Sequence, residues 1–450
     1  MALFVLKNFR IIDETTDAFG SVVIEDGLIE QVFINTEKVP GSAEKELKNA
    51  ERSADIVLDG TLQGGGLVLL PAFVDLHAHF REPGFPAKET LESACLAAAV
   101  GGYGTIACMA NTNPVTDTIA QASVVKDRCD ALGLVDVYPV LSLTKGMEGK
   151  ELSEITLLKD EKEKLRSDSA IRLLSEDGKD VSDDTLFLAA MAEGRHIGIP
   201  LSCHCDLNGE NNATKRALEL GKKAQCRLHI AHVSTKEAAA MIREAKKDSA
   251  LLSCEVTPHH IALTEKDAVL LGTESHGRVN PPLRTEEDRQ ALIAAIVDGA
   301  IDAIATDHAP HTAVDKENGA PGFSGLETAF AVCYSTLVVP GFISLSKLSS
   351  LMSTVPARIL GLDKENTGTC HDRGLIIPGM QADFAIADLS AVWTVNPGAF
   401  MSRGKNSPFA GSELRGKIIL TIRDGQIVYD GHAKRQRGES HDSKRRTNNS

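Results

Sequence analysis

Two histidines separated by one residue, His77-Ala78-His79, follow the apolar run Leu67 to Val74 and precede Arg81 and Pro83-Gly84. In an extended strand alternate side chains share a face, so His77, His79 and Arg81 are expected to point the same way. Two neutral imidazoles side by side suit a divalent cation such as zinc, and a guanidinium beside them suits a carboxylate. Alone the pair means little: with 14 histidines in 450 residues, chance gives about 0.4 such pairs. Its weight depends on whether other segments bring matching groups.

Other apolar runs do end in such groups. Ser202-Cys203-His204, Ile230-Ala231-His232 and Ala305-Thr306-Asp307 each close on a metal-ligating residue. Taken singly, His204 or His232 reads as a hydrogen-bonded core or rim histidine. Together with His77 and His79 they supply four imidazoles, enough with one or two carboxylates for two zinc ions sharing a bridge. The bridge needs an anion. Asp177 is the leading candidate, with Glu176 and a carbamylated Lys145 as the alternatives. A carboxylate at Asp307 can hold a metal, take a proton from a bridging water and return it to a leaving nitrogen. Cys203 and Cys205 have the opposite strand parity to His204 and are expected to pack, as is His229 relative to His232. His259 and His260 are candidates for hydrogen bonds behind the ligands.

Groups so distant in sequence meet only on a scaffold that gathers them. Between residues 71 and 369, eight short β-like runs alternate with helix-like stretches such as Lys88 to Val100, Asp184 to Glu193 and Lys236 to Lys246. The runs end at His79, Asn111, Lys145, Asp177, His204, His232, His260 and Asp307. That count and length predict an α/β fold, a (β/α)₈ TIM barrel, whose catalytic groups sit at the C-terminal strand ends. Residues 1–70 and 370–430 read instead as short strands and turns with no long helix: Phe4 to Phe9, Ser21 to Glu25, Leu28 to Ile34, Ile56 to Leu58, Leu375 to Ile377, Asp383 to Asp388, Ile418 to Arg423 and Gln426 to Tyr429. They are expected to form one small β-sandwich domain from both ends of the chain.

Composition limits the function classes. Apolar residues make up 42% and charged residues 24%, as in a globular enzyme. A net charge of −14 argues against nucleic acid as a partner, since phosphates would be repelled. The last twenty residues differ, with six Lys/Arg against two Asp/Glu, and 431–450 is expected to be a disordered basic tail. Nine cysteines without a CxxC pair suggest reduced thiols. No leader-like start and no run of about 18 apolar residues is evident, so a cytoplasmic location without membrane contact is expected.

These residues together resemble the amidohydrolase superfamily and, within it, the dihydroorotases of the bacterial type I group. The likeness runs from about Leu67 to Asp383. It is carried by Val74-Asp-Leu-His-Ala-His-Phe-Arg-Glu-Pro-Gly84, Met109-Ala-Asn-Thr-Asn-Pro114, Ser175-Glu-Asp-Gly178, His232-Val-Ser-Thr235, Glu255-Val-Thr-Pro-His-His260, Val279-Asn-Pro-Pro-Leu-Arg284, Ala305-Thr-Asp-His-Ala-Pro-His311 and Gly325-Leu-Glu-Thr328. The resemblance implies metal ligands at His77, His79, Asp177, His204, His232 and Asp307, two Zn²⁺ per subunit with a hydroxide between them, and Asp307 as acid and base. It implies substrate contacts at His79, Phe80, Arg81, Asn111, Asn280, His311 and the backbone of Gly322-Phe323. The implied reaction is the reversible cyclisation of N-carbamoyl-L-aspartate to dihydroorotate, in pyrimidine synthesis. A homodimer and association with aspartate transcarbamoylase are the implied assemblies. Ala110 and Glu176 stand where the family usually has Pro and Asp, and the order Pro-Gly-Phe at 321–323 differs from its usual form. The rival readings are a hydantoinase or allantoinase, whose bridge is generally a carbamylated lysine, and an inactive scaffold for a transcarbamoylase, which would lack ligands.

Overall fold

The computed structural model describes residues 3–34, 41–61, 67–161, 170–363 and 372–431. The expected basic tail lies outside the described residues apart from Gly431. Five strands come first: β1 (Leu3–Ile12), β2 (Asp17–Glu25), β3 (Leu28–Ile34), β4 (Ile56–Asp59) and β5 (Leu67–Pro71). Eight short parallel strands follow: β6 (Phe73–Ala78), β7 (Tyr103–Cys108), β8 (Asp136–Pro139), β9 (Leu174–Ser175), β10 (Leu201–Cys203), β11 (Leu228–Ile230), β12 (Leu252–Val256) and β13 (Ala303–Ile304). Strands β14 (Phe384–Thr394), β15 (Glu413–Arg423) and β16 (Gln426–Asp430) complete the chain's β-structure.

The middle strands form two parallel arcs, β6-β7-β8 and β9 through β13. Bridges between Leu141 and Leu174 and between Ala78 and His308 close them into a barrel. Every residue of β6, β7 and β8 is buried, as expected of parallel strands covered by helices outside and filled by side chains inside. The covering helices start where the sequence offers caps. Thr90 accepts from the Ser93 N–H ahead of helix Leu91–Val100, and Thr235 accepts from Ala238 N–H ahead of helix Lys236–Lys246. Ala94, Ala97 and Ala98 of the first helix are fully buried, since small side chains let the helix lie close to the barrel.

The two ends of the chain share an eight-stranded sheet in the order β16-β15-β14-β5-β1-β2-β3, with β4 on β1. Its core of Phe4, Leu6, Ile24, Leu69, Phe384 and Ile422 is separate from the barrel's. The apolar run that leads to the histidines is therefore split. Leu67–Pro71 pairs with β14 and β1 in this sheet, and only Phe73 onward is barrel.

Several expectations need correction. β8 ends at Pro139, well before the expected end at Lys145, and β12 ends at Val256, with His259 and His260 on the short helix Pro258–Ala262. A helix spans Gly41–Ser53 in the N-terminal segment. Its inward stripe consists of Leu47 and the small residues Ala43 and Ala50, so it offers little apolar bulk in a segment rich in Glu and Lys. Leu375 to Ile377 is no strand; Ile376 is buried and its N–H donates to Asp13 Oδ2 at 2.9 Å.

A buried ionic cluster joins sheet and barrel. Arg373 donates to Asp136 Oδ2 at 2.7 Å and to Thr105 Oγ1 at 2.6 Å, while Arg423 donates to Asp136 Oδ1 at 2.7 Å. Burial alone would raise the Asp136 carboxyl, but Arg373 and Arg423 hold it well below the usual carboxylate range. Asp136→Ala leaves two arginines without their shared anion and should cost about 3–5 kcal/mol, read by urea unfolding; a loss below about 1 kcal/mol would remove this cluster from the fold's supports. Because the folded-state value is depressed, the contribution is complete above about pH 4, declines below it, and is lost only as the pH falls to the depressed folded-state value.

Candidate metal centre and active site

The candidate ligands cluster at the C-terminal ends of their strands, where such barrels hold their chemistry. His77 lies within β6 and His79 just beyond it, its N–H donating to the His308 carbonyl at 2.8 Å. Asp177, His204, His232 and Asp307 follow β9, β10, β11 and β13. His232 and Asp307 have φ of +34° and +45°, conformations that cost on the order of 1–3 kcal/mol and persist where surrounding structure enforces them.

Asp177 sits at the centre. Its Oδ1 lies 3.1 Å from His77 Nε2, 3.3 Å from His204 Nδ1 and 3.9 Å from His232 Nε2, and its Oδ2 lies 3.6 Å from His79 Nε2. Asp307 Oδ1 is 3.2 Å from His79 Nε2 and 3.6 Å from His77 Nε2. His204 Nδ1 and His232 Nε2 are 2.9 Å apart. Two groups that share His77, one with Asp177 and His232, the other with His79 and Asp307, each gather ligand atoms within 4.8 Å of one another. All six residues singled out as ligands are brought together.

These atoms suit cations better than they suit each other. His77 Nε2 and Asp177 Oδ1 are buried and touch, yet neither has an aligned hydrogen bond. An unpaired buried polar atom costs about 1–3 kcal/mol, which a coordinated cation removes. Donors at 2.0–2.1 Å around a tetrahedral zinc would lie roughly 3.3 Å apart, close to the separations found here. The electrostatics agree. Burial opposes charge throughout, yet His77 holds its proton well above the ordinary histidine value because Asp177, Glu255 and Asp307 surround it. Burial is likewise outweighed at Asp177 by His77, His204 and His232, and at Asp307 by His79 and His77, so both carboxyls lie below their usual range. The buried carboxylates favour a positive charge among the imidazoles, a place that a cation can take over from the His77 proton.

The alternatives to Asp177 face elsewhere. Glu176 Oε2 accepts from the Leu143 and Thr144 N–H groups at 3.0 Å each, and the Thr144 hydroxyl bonds its other oxygen. Lys145 is exposed and pairs with Glu151 at 3.2 Å. Cys203 and Cys205 pack in the barrel core.

Beside the cluster lies a cationic half. Arg81 reaches it by a route that strand parity does not describe: the chain has left β6, and Arg81 adopts φ +60°. Its Nε donates to the Pro310 carbonyl at 3.3 Å, and its guanidinium lies 3.3 Å from His311 Nε2. Lys88 Nζ stands 3.3 Å from His311 Nδ1. Since Lys88 can only donate, His311 Nδ1 accepts and Nε2 carries the proton given to the Pro321 carbonyl at 2.9 Å. Burial, then Arg81 and Lys88, push His311 down to about 3. No ion pair to a carboxylate is found for Arg81 among the described residues.

Asn111 Oδ1 lies 2.9 Å from His79 Nδ1, and its amide nitrogen 3.5 Å from Asp177 Oδ2. Accepting the Nδ1 proton leaves His79 Nε2 bare toward the cluster. Asn280 Nδ2 is 3.0 Å from His204 Nε2 and 3.3 Å from Asp206. The Phe80 side chain is buried in the core, so only its backbone is available to a ligand. The Gly322 carbonyl accepts from Lys316 Nζ at 3.0 Å and from Asn406 at 2.9 Å, and the Phe323 carbonyl accepts from Ala309 N–H at 2.7 Å. His260 Nε2 donates to the Pro281 carbonyl at 3.0 Å, beside Asn280. His259 packs edge-on to Phe323 at 5.3 Å between ring centroids.

Several supporting residues escaped the sequence reading. Glu255 is fully buried between His77 Nδ1 at 3.3 Å and His229 Nε2 at 3.1 Å. Against the effect of burial, His229 and His77 draw its carboxyl down to about 2. A carboxylate behind a ligating histidine sets which nitrogen faces the metal. Asp75 accepts from the Thr306 N–H at 2.9 Å and hydroxyl at 2.5 Å, tying β6 to the Asp307 segment. The available signal was an acid within each apolar strand, on the parity that faces inward.

Paired cation-binding groups at the mouth of a closed parallel barrel define the class of barrel metallohydrolases. The Amidohydrolase family model matches residues 68–428, and the chain belongs to the amidohydrolase family, among its dihydroorotases. It is 38% identical over 433 residues to a dihydroorotase of Clostridium botulinum, covering 94% of this chain and 98% of that one. A Thermoanaerobacter dihydroorotase is 37% identical over 464 residues, covering 97% and 99%. Among solved structures, an L-hydantoinase from Arthrobacter aurescens superposes with a TM-score of 0.81 at 24% identity, covering 96% of this chain and 97% of that one. A dihydropyrimidinase from Brevibacillus agri gives 0.78 at 18%, covering 95% of each. At these identities the two structures speak for the fold alone. No helix among the described residues is long and apolar enough to cross a membrane.

Proposed function

We propose that the protein interconverts dihydroorotate and N-carbamoyl-L-aspartate with two Zn²⁺ ions held by His77, His79, Asp177, His204, His232 and Asp307. The observation that carries this reading is Arg81, a guanidinium with no carboxylate ion pair among the described residues, set beside His311 and adjoining the ligand cluster, while Lys88 behind His311 is paired with Asp315 at 3.4 Å. A substrate with a free carboxylate next to a cleavable cyclic amide matches both halves; a plain hydantoin matches only one. The exposure of Lys145 also counts against a carbamylated bridge, and the full ligand set counts against an inactive scaffold.

When bound, the metal ions supply Lewis-acid polarisation of the ring carbonyl and lower the pKa of water. The chain supplies orientation and proton transfer. Arg81 holds the carboxylate, with His311 packed against its guanidinium and Asn111 beside them, Asn280 and the Gly322-Phe323 backbone face the ring, and the carbonyl is thereby fixed over Asp177. During hydrolysis a C–O bond forms from water to the ring carbonyl carbon and the C–N bond breaks. Asp307 takes the proton of the attacking water and gives it to the departing nitrogen, so no net proton is consumed at that residue. Ring closure runs through the same groups in reverse.

Arg81→Met tests the reading. Loss of a charge-assisted carboxylate contact worth about 1.5–3 kcal/mol should raise KM for dihydroorotate roughly 10- to 100-fold; an unchanged KM would sink the clamp. The same reading takes residues 71–369 as the catalytic barrel and 1–70 with 370–430 as one supporting unit. It also places the enzyme in the cytoplasm, as a homodimer that associates with an aspartate transcarbamoylase, which size-exclusion chromatography with and without that partner would test.

A further inference from the structure

The connector between β14 and β15 leaves the terminal sheet and reaches the barrel mouth. Gly404 approaches Pro310 so closely that a Cβ there would stand 2.5 Å from Pro310 Cβ. Two residues later, Asn406 uses its whole amide. Its Oδ1 accepts from the His311 N–H and the Ser324 hydroxyl, both at 3.0 Å, and its Nδ2 donates to the carbonyls of Gly322 at 2.9 Å and Ala309 at 3.3 Å. From another side Lys316, fully buried, donates to the carbonyls of Arg278 and Ala320 at 2.8 Å and of Gly322 at 3.0 Å. Both lone pairs of the Gly322 carbonyl are thus engaged. Gly322 itself, at φ +134°, has no room for a side chain, since a Cβ would meet that of Ala309 at 2.5 Å.

The geometry points to Asn406 and Lys316 as positioning residues that set affinity for the carboxylate end of the substrate, by holding His311 and the Gly322 peptide at a fixed depth against Arg81. The inference rests on the reading of Arg81, with His311 packed against its guanidinium, as the carboxylate clamp. None of these seven bonds goes to a residue of the ligand cluster, so their loss should loosen substrate binding while the metal centre stays intact. The terminal sheet, through one connector, thereby shapes a site to which it contributes no ligand. Preorganisation of this kind matters because a displacement of about 1 Å in a contact residue is enough to lose much of its effect.

Two variants of the metal-loaded full chain test this. Asn406→Asp keeps the oxygen that accepts from His311 and Ser324 but turns a carboxylate oxygen toward two carbonyls; Lys316→Met keeps length and removes the three donors. Each should raise KM by about tenfold or more with kcat within about threefold, with zinc content unchanged. Amide hydrogen exchange over 309–323, measured without substrate, should quicken while the barrel strands stay protected. Because both hold one carbonyl, the double variant should show less than the product of the single effects. Unchanged KM or unchanged exchange would overturn the inference, as would loss of zinc, a matching fall in kcat, or unfolding of both variants, which would make the pair merely structural. If the wild type fails to turn over dihydroorotate, the proposed reaction falls, and the exchange measurement still decides the positioning role.

Discussion

Asp307→Asn is expected to lower kcat for dihydroorotate hydrolysis by about 10³–10⁴ while the protein remains folded. Proton transfer by a positioned side chain contributes typically about 10²–10⁴, and Asp307 is asked to transfer twice, to itself from water and from itself to nitrogen. Asparagine preserves the size of the side chain and, like aspartate, tolerates positive φ, so the φ of +45° at this position adds no new strain. It keeps one oxygen near His79 and gives up the basic carboxylate. Kinetics alone would confuse loss of the base with loss of a ligand, so zinc content must be measured on the same sample. A variant that retains its metal and still turns over within tenfold of wild type would show that the proton travels by another group.

Removing the metal should have the other large effect. Dialysis against a chelator is expected to abolish turnover, by about 10³-fold or more, and added Zn²⁺ should restore it. Stability should fall with it. Ligand binding to the native state contributes RT ln(1 + [L]/Kd), about 4 kcal/mol at a thousandfold excess over Kd, and in its absence the buried atoms of His77 and Asp177 lose the partner that best satisfies them. The strands carrying them are anchored in a separate apolar core, so the apoprotein should stay folded with a lower Tm. Metal analysis should return two zinc ions per chain; fewer than one, with turnover untouched by chelator, would defeat the binuclear reading.

The barrel was legible because its signal is repeated. Eight apolar runs ending in polar groups, separated by helix-like stretches, leave few other architectures open. The ligand set was legible for the same reason, since each strand end carries its residue to one rim. Asp177 and Glu176 show where local pattern stops. Both follow the same strand, and only the Leu143 and Thr144 N–H groups, contributed by the neighbouring segment, take Glu176 out of contention. The helix at Gly41–Ser53 shows a second limit, for its inward face carries one large apolar side chain, Leu47, beside small alanines, and so little apolar bulk marks it among many charged residues.

By itself, then, the amino-acid sequence determined the repeat of strand and helix, the face shared by His77 and His79, and the chemistry of a metal-dependent hydrolase acting on a carboxylate-bearing substrate. These follow from periodicity and residue type, which act over a few positions. Only the tertiary structure decided that Arg81 enters the site through a left-handed turn, that Glu255 stands behind His77, and that Asn406 holds His311 from a connector 95 residues away. The reason is physical. Such contacts depend on where separate elements come to rest against one another, and packing across long sequence separations leaves no period in the chain to read.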